Sequence, residues 1–268
     1  MTMERCVKLS AAALFAGAVA AFAAPGAYAQ TETLTVAAAP SLKAVFQHIV
    51  PMFEKEYGAA VRVEYGPSQT QRRRIEGGAP IDLFLPASVE ELRKLQDKGL
   101  VLSGKPRVYA ETSLVLVMSA ASSALAVSFS DVLPNGSVRI ALGDPTTSAL
   151  GDITARVFAK FDPSYRKHAR LTYGPHGGEV VDLIRTGKAD VGVLYRVDAI
   201  NNGGVRIIDE IPTGTYAPVQ FAGAVVSTCR PESLQIAAKF LDFVTSPRIQ
   251  KLMIQYGFDP VLSHAVTG

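Results

Sequence analysis

The stretch TLTVAAAPSLKAVF, Thr33 to Phe46, reads as a strand that breaks at Pro40-Ser41 and passes at once into a helix. Leu34, Val36 and the alanines make the apolar strand, and Leu42, Val45, Phe46 and Ile49 then fall at i, i+3, i+4 and i+7, one buried helix face. Ser41 stands where a hydroxyl caps or opens a first turn, beside backbone N–H groups that the helix cannot satisfy itself. Those N–H groups and the helix dipole favour negative charge, so the junction is an anion site in outline. One such junction is an ordinary N-cap. This chain repeats it.

Outward from that stretch, strands and helices alternate with short connections, which predicts α/β architecture with largely parallel sheets. Val61 to Tyr65 is a strand, Gly66-Pro67-Ser68 a turn, and Gln69 to Gly77 a polar helix. Ile81 to Leu85 is a buried strand, followed by a helix from Val89 to Lys98 that Gly99 ends. A second set follows: strand Val138–Leu142, the turn Gly143-Asp144-Pro145, hydroxyls at Thr146-Thr147-Ser148 and a helix from Ala149 to Phe161. Strand Leu171–Tyr173, the turn Gly174 to Gly178, a helix from Glu179 and strand Val191–Leu194 ending at Tyr195 complete it. Two long apolar strands, Thr112–Met118 and Val219–Val226, flank this set, and two helices close the chain.

That plan predicts a two-lobe fold with a ligand cleft between lobes joined by two extended strands. Lobe 1 is discontinuous, residues 30–111 and 222–268, and lobe 2 is residues 112–221. In such sheets ligands sit outside the C-terminal strand ends. Ser41, Ser68, the segment Gly143 to Gly151, His176 to Gly178 and Tyr195 all fall at such ends. Four of them open helices, so their N-termini can converge on one cleft.

Composition narrows the classes. Of 268 residues 48 % are hydrophobic, and the formal net charge of +3 is too small and scattered for a nucleic-acid or anionic-membrane surface. Residues 1–29 read as a cleavable secretory signal peptide: Arg5 and Lys8, an apolar core from Leu9 to Ala24, then Ala27-Tyr28-Ala29. Cys6 leaves with it, so Cys229 is expected as a lone, buried, inert thiol. The expected product is a periplasmic monomer.

With those residues in place the chain resembles the periplasmic molybdate-binding proteins of ABC transporters, a branch of the type II substrate-binding proteins. The likeness rests on Ala37-Ala38-Ala39-Pro40-Ser41-Leu42, the run Ile75 to Phe84 (IEGGAPIDLF), Gly143-Asp144-Pro145, the run Ala189 to Tyr195 (ADVGVLY) and Tyr256-Gly257-Phe258. The resemblance implies a periplasmic-binding-protein-like type II fold that captures a tetrahedral oxyanion, molybdate or tungstate, for a membrane permease with its own ATPase. It implies hydroxyl donors at Ser41 and Ser68, backbone donors at Leu150 and Gly177, and a phenol at Tyr195; His176 and Ser148 are further candidates near the ligand on their position in the sequence alone. Two departures stand out: Ala149-Leu150 where the family has a proline and a small residue, and Pro175-His176-Gly177-Gly178 where acidic, valine and arginine residues are usual.

The chemistry agrees with this set. A desolvated dianion needs a donor for each oxygen, because an unpaired buried charge is expensive. Neutral O–H and N–H groups supply donors without a competing proton equilibrium, whereas an acceptor in the cleft would select a protonated anion such as hydrogen phosphate. No carboxylate falls at the five junctions, which favours molybdate, tungstate or sulfate. Arg72-Arg73-Arg74 reads as a solvated face that attracts anions at long range, and Glu76 and Asp82 as structural carboxylates. The alternatives are a binding protein for phosphate, a phosphonate or sulfate, or a lobe that docks a membrane receptor as a sensor. Catalysis is not expected: Ser41, Ser68, His176 and Asp144 lack the context of a nucleophile elbow. His48, His168, His176 and His264 lack zinc-site spacing, so neither a metal cation nor a cofactor is expected.

Overall fold

The computed structural model describes residues 33–261 apart from 103, 125–127 and 134–135. The expected signal peptide, with Cys6, lies outside the described residues, as does His264.

The chain begins with β1 (Thr33–Ala38), a single 3-10 turn (Pro40–Leu42) and α1 (Lys43–Tyr57). The expected helix face is the buried one: Leu42, Val45, Phe46 and Ile49 are at most 1 % exposed. Then come β2 (Ala60–Tyr65), α2 (Ser68–Glu76), β3 (Leu83–Leu85), α3 (Val89–Asp97) and β4 (Arg107–Thr112). The second half runs β5 (Leu114–Ser119), α4 (Phe129–Val132), β6 (Arg139–Gly143), α5 (Ala149–Phe161), β7 (Arg170–Gly174), α6 (Gly177–Arg185) and β8 (Val191–Tyr195). The remainder is α7 (Arg196–Asn201), β9 (Val205–Glu210), β10 (Val219–Val225), α8 (Leu234–Val244) and α9 (Pro247–Gln255).

The strands form two sheets of the same design, ordered β2-β1-β3-β10-β4 and β7-β6-β8-β5-β9. In each, four of the five strands point the same way, and the fourth in order, β10 or β5, runs antiparallel to both its neighbours. The sheets are therefore largely parallel in strand direction, as the sequence pattern predicts, and mixed through one reversed strand each. The reason lies at the crossings. Thr112 ends β4 in the first sheet and Leu114 begins β5 in the second, so Ser113 is the outward crossing. The whole of β10 belongs to the first sheet, so the return crossing lies within residues 211–218 and not at residue 222. The extended run β4–β5 thus links the two sheets through Ser113, while β10 lies wholly in the first.

The crossings are tied together. Arg196 N–H donates to the Ser113 carbonyl at 2.8 Å, Ile211 N–H to the Leu114 carbonyl at 3.0 Å, and the Tyr216 hydroxyl accepts from Leu114 N–H at 2.9 Å. Three elements went unread in the sequence. β4 alternates weakly, and its Glu111 accepts from Gln220 on the neighbouring strand at 2.9 Å. α7 is barely two turns long. β9, an edge strand, is only partly buried along its length.

Both faces of the first sheet are packed. Leu34, Val36 and Ala38 join the larger core with Phe46, Phe53 and Phe240, while Ala37 faces a smaller cluster with Ile75, Phe84, Leu92 and Leu95. Asp82, fully buried, accepts from Thr35 N–H at 2.7 Å and from the Arg230 guanidinium at 2.9 Å, pinning β1 to the segment after β10. It is structural, as expected, and so is Glu76, which pairs with Arg72 and, at 2.9 Å, with Lys98. Cys229 is buried, and burial pushes its thiol up to about 12, so it stays a thiol at physiological pH. Among the described residues, no helix is long and apolar enough to cross a membrane.

Candidate functional site

Every residue singled out in the sequence for anion contact borders one cavity of about 390 Å³: Ser41, Ser68, Ser148, Leu150, His176, Gly177 and Tyr195. The cavity lies where the C-terminal ends of β1, β6, β7 and β8 give way to helices, with one wall from each sheet. The starts of α2, α5 and α6 and the turn before α1 all reach it, and first-turn N–H groups such as those of Leu150 and Gly177 have no acceptor within their own helices.

The two serines are held differently. Ser68 opens α2, is 3 % exposed, and accepts the Ala87 N–H at 3.1 Å through Oγ. That contact uses a lone pair and leaves the hydroxyl hydrogen for a ligand. Ser41 lies in the 3-10 turn, where it caps nothing: no side-chain cap bond forms at either helix start there. Its hydroxyl donates across the cavity to Asp198 Oδ2 at 3.0 Å.

On the opposite wall, the Gly143-Asp144-Pro145 turn seats α5. Asp144 Oδ1 accepts from Thr146 N–H and from the Thr146 hydroxyl, both at 2.7 Å, and these bonds hold its carboxyl below the usual range. Gly151 lets helix and turn touch, since a Cβ there would lie 2.5 Å from the Gly143 and Asp144 carbonyl oxygens. Ser148 is the N-cap, accepting Gly151 N–H at 3.4 Å, so it is a helix-capping residue at the cavity edge.

At the start of α6, His176 Nδ1 accepts Gly178 N–H at 3.1 Å and lies 2.9 Å from Glu179 Oε2. One nitrogen cannot accept from the first and donate to the second in a single protonation state. The two contacts therefore compete for Nδ1 at the start of α6. Tyr195, 3 % exposed, ends β8, and burial drives its phenol well above its ordinary value, so it remains a neutral donor. It also borders a second cavity of about 520 Å³. The cations there are already engaged: Arg93 with Glu90, Arg156 with Asp152 at 3.0 Å, and Lys160 with the Thr215 carbonyl at 2.6 Å.

Two sequence expectations change here. The Arg72-Arg73-Arg74 run is a solvated face only in part: Arg73 and Arg74 are exposed, and Arg72 is not. Arg72 is half-buried between Glu76 and Glu91, Arg74 pairs with Glu64 at 2.7 Å, and Arg73 reaches the Thr146 carbonyl at 2.9 Å. Gln69 makes a similar bond to the Pro145 carbonyl at 3.2 Å, so α2 clasps the Gly-Asp-Pro turn of the other wall. The carboxylates that pair with Arg72 and Arg74 lie one helical turn away, at Glu76, or on other elements, at Glu64 and Glu91.

The second change is Asp198. The sequence reading found no carboxylate at the five junctions, yet Asp198 on α7 lines the cavity and is 7 % exposed. Burial pushes its carboxyl up to about 7, against a smaller opposing pull from the Ser41 hydroxyl. A Cβ on Gly177 would lie 2.7 Å from Asp198 Oδ2, so a glycine at the start of α6 is what admits the carboxylate. The signal was there: Asp198 follows Tyr195 by one helical turn, and so returns to the face of α7 that Tyr195 begins.

Two mixed α/β sheets around a cleft edged by helix N-termini define a bilobal binding protein. The comparisons give the family: residues 34–259 match the model of the bacterial extracellular solute-binding proteins, and the chain belongs to that family. It is a binding-protein family, not an enzymatic one. Among relatives, the molybdate-binding protein ModA of Escherichia coli is 29 % identical, the match covering 91 % of this chain and 96 % of that one. Among solved structures, the periplasmic molybdate-binding protein of Azotobacter vinelandii superposes with a TM-score of 0.72 at 22 % identity, covering 84 % of this chain and 98 % of that one. The sulfate-binding protein SubI of Mycobacterium tuberculosis does so with a TM-score of 0.69 at 22 % identity, covering 86 % and 87 %. The periplasmic-binding-protein fold is therefore shared by proteins named for different oxyanions.

Proposed function

We propose that this protein captures a tetrahedral oxyanion, molybdate or tungstate, in the cleft and delivers it to the membrane permease of an ABC transporter driven by a separate ATPase. The observation that carries the reading is the gathering of hydroxyl donors Ser41, Ser68 and Tyr195 with the first-turn N–H groups of α5 and α6 at one cavity. Ser41 and Ser68 donate from one wall. Leu150 and Gly177 donate through backbone N–H from the other, and Tyr195 through its phenol. The 29 % identity to the Escherichia coli molybdate-binding protein supports molybdate over other anions. The walls move as two lobes, residues 33–112 with 219–261 and residues 114–210, hinging at the crossings near Ser113 and residues 211–218.

A second reading, phosphate, is favoured by one observation: Asp198 places an acceptor at the cavity, which suits a ligand bearing a hydrogen. Thermal unfolding against molybdate, tungstate, sulfate, phosphate and a phosphonate separates the two. A ligand at about 1,000 times its Kd stabilises by about 4 kcal/mol. For a chain of this length that is roughly 8–16 °C. A shift with molybdate and tungstate alone is expected. A shift with phosphate or sulfate alone discards the molybdate assignment, and no shift with any anion discards the oxyanion reading.

A further inference from the structure

The hydrogen bond from Ser41 to Asp198 sets a proton problem that any oxyanion must solve. A serine hydroxyl has one hydrogen, and Ser41 gives it to Asp198 Oδ2 at 3.0 Å. To donate to an anion instead, Ser41 must turn that hydrogen away from Asp198. The carboxylate would then be buried without this donor, next to a second negative charge, a costly arrangement. Protonating Asp198 removes the conflict and reverses the bond. The carboxyl O–H donates to Ser41 Oγ, and the Ser41 hydrogen points at the ligand.

We infer that Asp198 is a specificity-determining residue that acts through Ser41: the cleft takes up one proton with each fully deprotonated oxyanion, and holds it on the Asp198 carboxyl. The balance is simple. One proton leaves solvent and bonds to a carboxylate oxygen, no other covalent bond changes, and Ser41 exchanges an acceptor bond for a donor bond of the same hydroxyl. The inference rests on the oxyanion reading above.

The surroundings support this assignment of the proton. Gly177 brings the start of α6 against the carboxylate without a side chain between them, and Tyr195 faces it as a neutral phenol. The other ionisable groups bordering the cavity are Lys43 on α1 and His176, whose Nδ1 is engaged with Gly178 and lies beside Glu179. Arg196, on the helix of Asp198 itself, points to Asp259 at 4.0 Å. Among the described residues, no cation forms an ion pair with Asp198. Its carboxyl sits at about 7 before any ligand arrives, so the added charge of a dianion moves it further up, through the physiological range.

The test is titration calorimetry of the purified protein with sodium molybdate, in buffers of different ionisation enthalpy, to count protons per ligand bound. The expected count rises from near zero at about pH 6 to near one at about pH 8, with Kd weakening by about tenfold per pH unit above that. Asp198→Asn is expected to bind with a count near zero and a flat pH profile. In His176→Asn, which keeps an N-cap acceptor, the count is expected to stay near one at pH 8 whatever the affinity. Binding without proton uptake in the unmodified protein overturns the inference and leaves the oxyanion reading intact. So does a count that survives in Asp198→Asn and disappears in His176→Asn. Absence of binding by every anion of the thermal panel overturns both.

Discussion

The corners of the cleft that hold Ser41 and Ser68 share a plan, a strand, a proline-containing turn and a helix start, but differ in what their hydroxyls face. Ser68 is fixed by a backbone amide, the Ala87 N–H, which takes a lone pair and leaves a hydrogen. Ser41 is fixed by a carboxylate, which takes the hydrogen. The cross-cleft contacts repeat the contrast. The Ser68 corner reaches neutral carbonyls at Pro145 and Thr146, and the Ser41 corner reaches Asp198. The same local structure therefore gives one corner ready to donate and one that must first change protonation. What a helix start does for a ligand depends on its tertiary partner as well as on its sequence.

The most direct way to erase the difference is Asp198→Asn, which makes the Ser41 corner neutral. The native carboxyl sits at about 7 against an ordinary 3.8, so between those values the unfolded chain releases a proton that the folded chain keeps. Stability from this group is thus fully present below the unfolded value, falls as pH rises towards 7, and stays low above it. Three units correspond to at most about 4 kcal/mol. In the absence of ligand, Asp198→Asn should therefore match the parent near pH 4 and exceed it in stability at pH 8. Urea unfolding at both pH values reads the difference directly. Equal stability of the two proteins at pH 8 would remove the contrast between the corners.

The serines themselves come next. A hydrogen bond to a charged group contributes about 1.5–3 kcal/mol, so Ser41→Ala and Ser68→Ala should each weaken oxyanion binding by roughly 10- to 150-fold. Stability should separate them. Ser68→Ala also strips the buried Ala87 N–H of its acceptor, an added cost of about 1–3 kcal/mol in the ligand-free protein. The Ser41 change strips only the donor of Asp198, which protonation relieves, so its destabilisation should be confined to pH above 7. Thermal unfolding of both variants at pH 6 and 8, beside their Kd values, tests the pairing.

This contrast also marks how far the sequence could be read. The periodicity from Leu42 to Ile49, the Gly143-Asp144-Pro145 turn and the run ending at Tyr195 are local signals, and they located β1, α1, α5 and β8 together with the cavity-lining residues. Asp198 was missed, although it follows Tyr195 by one helical turn, because its hydrogen bond runs to a partner 157 positions away. The Arg72–Arg74 run was legible only in part for the same reason: Arg73 and Arg74 are exposed, but Glu91 and Thr146 engage the run from other elements. The mixed sheets escaped notice because strand direction in β10 and β5 follows from where the chain crosses, and apolar pattern alone carries no direction.

The smallest expected effect concerns the clasp from α2. Arg73 donates to the Thr146 carbonyl at 2.9 Å from an exposed position, beside the half-buried bond from Gln69 to the Pro145 carbonyl at 3.2 Å. Exposed polar contacts of this kind contribute about 0.2–1 kcal/mol and weaken with salt when a charge is involved. If both lobes must approach for binding, Arg73→Ala should raise the Kd by no more than about fivefold, most at low ionic strength, because it releases one neutral acceptor and leaves no charge stranded. The Kd measured at low and high salt gives the outcome. A loss as large as that of Ser68→Ala would mean that the Ser68 corner depends on the clasp as strongly as the Ser41 corner depends on Asp198. The two corners would then differ only in protonation, and not in how firmly each is tied across the cleft.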